Sequence, residues 1–137
     1  MKVMQGKKIV RGRAKGKLIL IPESFSFLGD VDMETSQVIA PNYFQQNLFL
    51  SGSILAFTET KGSSGGCIVL MTLARKKKAP IGIITIKPPD YNLTEGAIMC
   101  GIPFIAEIDE KFLALVQSGD WIEMEADKGQ LILDNLG

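Results

Sequence analysis

The residues best suited to chemistry are Lys61-Gly62-Ser63-Ser64-Gly65-Gly66. An apolar run at 53–57 precedes them and reads as a short strand, and an apolar stretch at 67–75 with a basic tail follows and reads as a helix. A turn so placed presents backbone N–H groups, backed by the positive end of the helix, to an anion or an ionised hydroxyl. Its glycines allow the backbone to approach a ligand closely. The same residues also make a plain helix cap, with Ser63 or Ser64 as N-cap and Gly62 and Gly65 shaping the turn, and spacing alone leaves both readings open. The segment is not a Walker phosphate loop, because the Gly-Lys-Ser/Thr ending is missing.

Two further clusters carry charge. Phe25-Ser26-Phe27-Leu28-Gly29-Asp30-Val31-Asp32 places two carboxylates among aromatics. They could bind a cation or orient a reacting group, or Asp30 and Asp32 are turn residues while the aromatics cover the core. Arg11 and Arg13 stand at alternate positions of an expected strand, so they share a face that could clamp a carboxylate or phosphate, or simply meet solvent.

Absences narrow the field. The 137 residues include no histidine, which excludes Ser-His-Asp and Cys-His catalysis and histidine-ligated metals within the chain. Cys67 and Cys100 are too few and too far apart for a disulfide framework or a zinc site, and their apolar, helical surroundings predict buried free thiols. Basic and acidic residues number 15 each, so no net charge draws the chain to nucleic acid or an anionic membrane. The run Arg75-Lys76-Lys77-Lys78 reads as a solvated last helical turn. Apolar runs such as 81–86 fall far short of the roughly 20 residues that span a bilayer. The N-terminus carries Lys2, Lys7 and Lys8 without an apolar signal core, so a cytoplasmic protein without membrane or nucleic-acid partners is expected. With 46% hydrophobic and 22% charged residues, the chain is expected to fold as one domain over 1–137.

These residues need elements to hold them. Residues 9–13 and 17–21 read as a hairpin around Ala14-Lys15-Gly16. Residues 22–52 lack periodicity and are expected to form an elaborated loop region with short strands. The strand at 53–57, a helix over 67–75, a strand over 81–86, a helix over 92–100 ending at Gly101 and a strand over 102–108 make two adjacent strand–helix–strand units, hence a parallel sheet. A short helix over 110–117 closed by Gly119, and a terminal hairpin of 121–125 with 130–133 around Asp127-Lys128-Gly129, complete the chain. The fold class expected is α/β, a mixed sheet with flanking helices and an antiparallel β portion.

In order along the chain, Arg11-Gly12-Arg13-Ala14-Lys15-Gly16, Ser26-Phe27-Leu28-Gly29-Asp30-Val31-Asp32 with Glu34-Thr35, Lys61-Gly62-Ser63-Ser64, Ala79-Pro80 and Gly101-Ile102-Pro103 resemble the swivel-domain small subunit of the aconitase X family. The resemblance implies a single swivelling β/β/α domain like the C-terminal domain of aconitase. It implies a large catalytic subunit that holds an iron–sulfur cluster, since the two cysteines here are fewer than the roughly three or four thiolates a cluster needs. It implies dehydration of a small anionic substrate, either mevalonate 5-phosphate in the archaeal-type mevalonate route or cis-3-hydroxy-L-proline. Lys61-Gly62-Ser63-Ser64 looks closer to the phosphomevalonate enzymes. By the same resemblance Ser63 is the alkoxide-like base, Ser64 supports it or touches substrate with Lys61, Gly62 and Gly65, and Gly29, Asp30 and Asp32 form a loop beside the site. The chain departs from the family pattern at Asp30, at Ser36 and over 91–100. A non-enzymatic module that binds an anion or a partner through the 62–66 turn is the alternative class.

Overall fold

The computed structural model describes residues 2–61 and 65–133. Among the described residues eight strands lie in the order β1-β8-β7-β3-β4-β5-β6-β2: β1 Lys2–Gln5, β2 Lys7–Val10, β3 Arg13–Ile21, β4 Ile54–Phe57, β5 Gly82–Thr85, β6 Phe104–Ala106, β7 Trp121–Glu125 and β8 Gln130–Leu133. Two ten-residue helices, α2 Gly66–Arg75 and α3 Tyr91–Cys100, alternate with β4, β5 and β6. Two single-turn helices, α1 Phe27–Asp30 and α4 Phe112–Leu115, sit in the connections.

The long strand β3 divides the sheet into two layers. Its first half, Arg13 to Lys17, pairs antiparallel with β7, and its second half, Leu18 to Ile21, pairs parallel with β4. Alternate side chains of the parallel strands then serve two cores. Leu55, Phe57, Ile83 and Phe104 point to one with Val69, Leu70, Leu73, Leu93 and Ala97 of the helices. Ile54, Ala56, Ile84 and Ile105 point to the other, against Ile122, Met124 and Leu131. Burial on both faces explains why β4 to β6 are continuous apolar runs while β7 and β8 alternate. The layers are β, β and α, as expected, and none of the described helices is long and apolar enough to cross a membrane.

The strand–helix–strand units and the terminal hairpin form where the sequence placed them, the hairpin closing through Gly129 at φ 64°. The expected hairpin of 9–13 with 17–21 does not form. Arg13 to Ile21 is one strand, and β2 instead pairs antiparallel with β6 at the far edge. The glycine that turns the chain is Gly12, at φ 130°, whereas Gly16 lies inside the strand, where a Cβ would stand 3.0 Å from Ile81 Cδ1 and 3.3 Å from the Gly52 carbonyl. Gly16 thus permits a close approach rather than a turn. Arg11 consequently falls outside β3 and does not share a strand face with Arg13. The helix expected over 110–117 shrinks to Phe112–Leu115. Cys67 and Cys100 lie on α2 and α3 as free thiols but are half-buried rather than buried. The basic run is also more engaged than a solvated turn: Lys76 Nζ lies 2.9 Å from Glu34 Oε1, and Lys78 Nζ donates to the Glu34 carbonyl at 2.6 Å.

Residues 22–53 form the loop-rich connection expected, crossing from β3 to β4. A cluster of Phe25, Phe27 and Phe57, with centroids 5.3 to 6.1 Å apart, fastens α1 to the end of β4. Such pairs add about 0.5–1.5 kcal/mol beyond the area they bury. Farther along, Tyr43 donates its hydroxyl proton to Glu23 Oε2 at 2.9 Å, and burial together with that carboxylate pushes its pKa up to about 12.

Candidate active site

The chain leaves β4 at Phe57 and runs beside residues 23–25 as a short parallel pair. Thr58 N–H donates to the Glu23 carbonyl at 3.1 Å, Phe25 N–H to Glu59 at 2.9 Å, and Lys61 N–H to Phe25 at 3.1 Å. This pairing carries α1 to Lys61, the last described residue before the Gly/Ser-rich segment. There the Asp30 carboxylate accepts the Ser26 N–H at 2.8 Å and lies 3.3 Å from the Lys61 ammonium. The Asp30 side chain is 8% exposed and that of Lys61 52% exposed, so the ion pair is closed at the acid and open at the base. The Ser26 bond offsets part of the cost of burying the carboxylate. The ammonium has three donors, which leaves capacity for a further anion.

On the far side of the turn Gly65 is the N-cap of α2, at φ 59°, a conformation that favours glycine. A Cβ there would lie 3.3 Å from Leu28 Cβ, so α1 rests against Gly65 as well as gripping Lys61. The first turn of α2 is held from α3: Cys67 N–H donates to Asn92 Oδ1 at 2.8 Å. Gly96 makes that approach possible, since a Cβ there would meet Cys67 Cα at 2.7 Å. Asp90 caps α3 by accepting Leu93 N–H at 3.3 Å. Both helices therefore begin at the carboxyl ends of the parallel strands, the end where α/β sheets bind ligands.

Of the residues singled out in the sequence, Gly62, Ser63 and Ser64 lie outside the described residues. Lys61 meets Asp30, and Gly65 meets Leu28 of the same helix α1. Gly29 is exposed with open space about it. Asp32 takes the turn role, accepting Glu34 N–H at 2.8 Å and Thr35 N–H at 3.2 Å. The departure at Ser36 sits at φ 68°, where its hydroxyl accepts the Ser51 N–H. Arg11 and Arg13 are not brought to the turn. They line two open grooves of about 630 and 530 Å³, the second bordered by Gly52, Ile81 and Pro103, which precede β4, β5 and β6 at the opposite end of the parallel strands. The sequence reading assigned no role to Leu28, Asn92 or Gly96. An Asn just inside a helix start gives no sign that its partner lies 25 residues upstream.

The thiols do not suit a cluster. Cys67 and Cys100 stand on separate helices, and among the described residues no group of three or more His, Cys, Asp or Glu could hold a metal ion. Burial and the neighbouring Cys67 push the Cys100 thiol pKa up, away from the thiolate a metal needs.

Known proteins are similar to this chain in sequence and fold. The phosphomevalonate dehydratase small subunit of Thermococcus gammatolerans is 36% identical over 96% of this chain and 98% of its own length. That of Archaeoglobus fulgidus is 37% identical over 91% and 93%. The crystal structure of Thermococcus kodakaraensis aconitase X in its holo-form superposes with a TM-score of 0.86 at 32% identity, covering 96% of this chain and 97% of that one. The Aconitase X swivel domain family matches residues 3–133, and with the β/β/α layering it shows that this chain is a member of the aconitase X swivel domain family.

Proposed function

We propose that the whole chain, 1–137, is the swivel-domain small subunit of a two-subunit hydro-lyase that dehydrates mevalonate 5-phosphate to anhydromevalonate phosphate. The observation that carries this reading is the near end-to-end match to small subunits of phosphomevalonate dehydratase, at 33–37% identity over 90–96% of this chain in the relatives from Thermococcus gammatolerans, Archaeoglobus fulgidus and Methanothermobacter thermautotrophicus. In this reading the pair works in the cytoplasm, without nucleic acid or membrane, and the iron–sulfur cluster belongs to the large subunit, because the thiols here do not suit it.

Ser63 is the general base. As an alkoxide it takes a proton from substrate carbon; the C–H electron pair forms the new double bond as the neighbouring C–O bond breaks, the hydroxyl leaves as water with a proton drawn from solvent, and Ser63 returns its own proton to solvent. With no histidine in the chain, the positive end of α2 behind the turn and the Lys61 ammonium are the groups that favour the charged hydroxyl. Ser64, Gly62 and Gly65 line the substrate, and Lys61 meets its phosphate. The chain alone lacks a complete pocket and is inactive by itself.

The test is reconstitution with the large subunit. Turnover of mevalonate 5-phosphate by the pair, and by neither chain alone, is expected. A pair that dehydrates cis-3-hydroxy-L-proline and leaves mevalonate 5-phosphate untouched reverses the substrate. A chain that binds anions but completes no dehydratase with any large subunit is a binding module.

A further inference from the structure

We infer that Asp30 is a positioning residue: its buried carboxylate fixes the Lys61 ammonium as the cation that receives the substrate's phosphate. The inference rests on the proposed function above. Among the described residues Lys61–Asp30 is the ion pair that joins an open cation to a buried acid, since the carboxylate partners of Lys7, Lys76 and Lys128 are 43%, 82% and 18% exposed against 8% for Asp30. A surface pair leaves both side chains free to wander. Here one end is buried and held by the Ser26 N–H and by α1, whose Phe27 is buried in the aromatic cluster. A lysine tethered in this way has already lost rotamer freedom that an anion would otherwise have to remove on binding. The tether also reports on the turn, because the loop that carries Asp30 contacts Lys61 on one side and, through Leu28, Gly65 on the other.

A cap alone does not explain the pair. The Ser26 N–H needs an acceptor, which an amide oxygen supplies as well as a carboxylate does. Only the contact with Lys61 requires charge at this position. Asp30→Asn therefore separates the roles, keeping size and acceptor while removing the ion pair.

The experiment is a double-mutant cycle in the reconstituted two-subunit enzyme with Asp30→Asn, Lys61→Met and both together. Asp30→Asn is expected to raise KM for mevalonate 5-phosphate about fivefold with kcat within about twofold, the cost of immobilising one long side chain. Lys61→Met, at a half-exposed site, must raise KM at least as much, and Asp30→Asn must add nothing in its presence. A lower melting temperature with KM unchanged, or effects that multiply in the double variant, overturns the inference. So does an unaltered KM in Lys61→Met, even if Asp30→Asn fails to fold. Should the wild-type pair not turn over mevalonate 5-phosphate, the proposed function has failed and the positioning role is read on the isolated chain titrated with inorganic phosphate. An amide shift at Lys61, abolished by Lys61→Met and weakened about fivefold by Asp30→Asn, sustains it, and no shift in the wild type overturns it.

Discussion

Gly96→Ala tests whether the closeness of the two long helices seats the first turn of α2. The added methyl would stand 2.7 Å from Cys67 Cα, and 3.3 Å from both the Cys67 nitrogen and the Gly66 carbonyl oxygen. All three are backbone atoms, so no rotamer change relieves the contact. Ordinary contact begins near 3.4 Å, so α3 must part from the first turn of α2 by about 0.7 Å. Overpacking of this kind costs roughly 1–3 kcal/mol. Replacing glycine by alanine inside a helix returns about 1 kcal/mol, so the expected net loss is about 1 kcal/mol. For a chain of this size that lowers the melting temperature by about 4 °C. Function should fall further, because the strained atoms belong to Gly66 and Cys67, directly after the turn, and displacement also stretches the 2.8 Å bond from Cys67 N–H to Asn92. The assay pairs thermal melting of the isolated chain with kcat/KM of the reconstituted enzyme, and a drop of about tenfold or more is expected for misplaced catalytic groups. A variant as stable as wild type or more so, with activity retained, would refute the claim that close helix packing positions the first turn of α2.

Asn92→Ala removes the side chain that accepts Cys67 N–H, and a cost of about 1 kcal/mol in denaturant unfolding is expected, as for other lost helix caps; an unchanged midpoint would show that water replaces it freely. Gly29→Ala should leave stability within about 0.5 kcal/mol, because its Cβ enters open space, and a large melting shift would contradict that placement. Burial and the Glu23 carboxylate push the Tyr43 pKa up to about 12 from an ordinary 10.0, so the folded state holds this proton more tightly than the unfolded chain. The stability it contributes is complete below pH 10 and is lost as pH rises toward 12, and a tyrosine absorbance component near pH 12 should vanish in Tyr43→Phe. Titration of that component near pH 10 would remove the Glu23 contact from the account.

The parallel strands were legible because burial on both faces leaves unbroken apolar runs, and α3 because Gly101 ends it at φ 68°. The edges were not. Gly12 and Gly16 look alike in a sequence, yet one turns the chain and the other lets Ile81 pass close by, and only the packing partner separates the two uses. Pairing of β2 with β6 rather than β3 is a long-range choice that local alternation does not encode. At the site, the turn before α2 and the acidic loop were each visible, and both kept an innocuous reading. What the sequence withheld was their meeting: Asp30 reaches Lys61 through a chain pairing at Phe25 and Thr60, and Asp32, its twin in the motif, spends its carboxylate on a local turn. The role proposed for Ser63 rests on family likeness, not on any periodicity.

The most direct test of the account is Ser63→Ala in the reconstituted enzyme, with turnover of mevalonate 5-phosphate and thermal melting measured on the same sample. Loss of the general base should lower kcat by at least about 10²-fold while melting and subunit assembly stay near wild type. A loss of about 1 kcal/mol in stability with turnover largely kept would instead make Ser63 a helix cap and contradict the central claim.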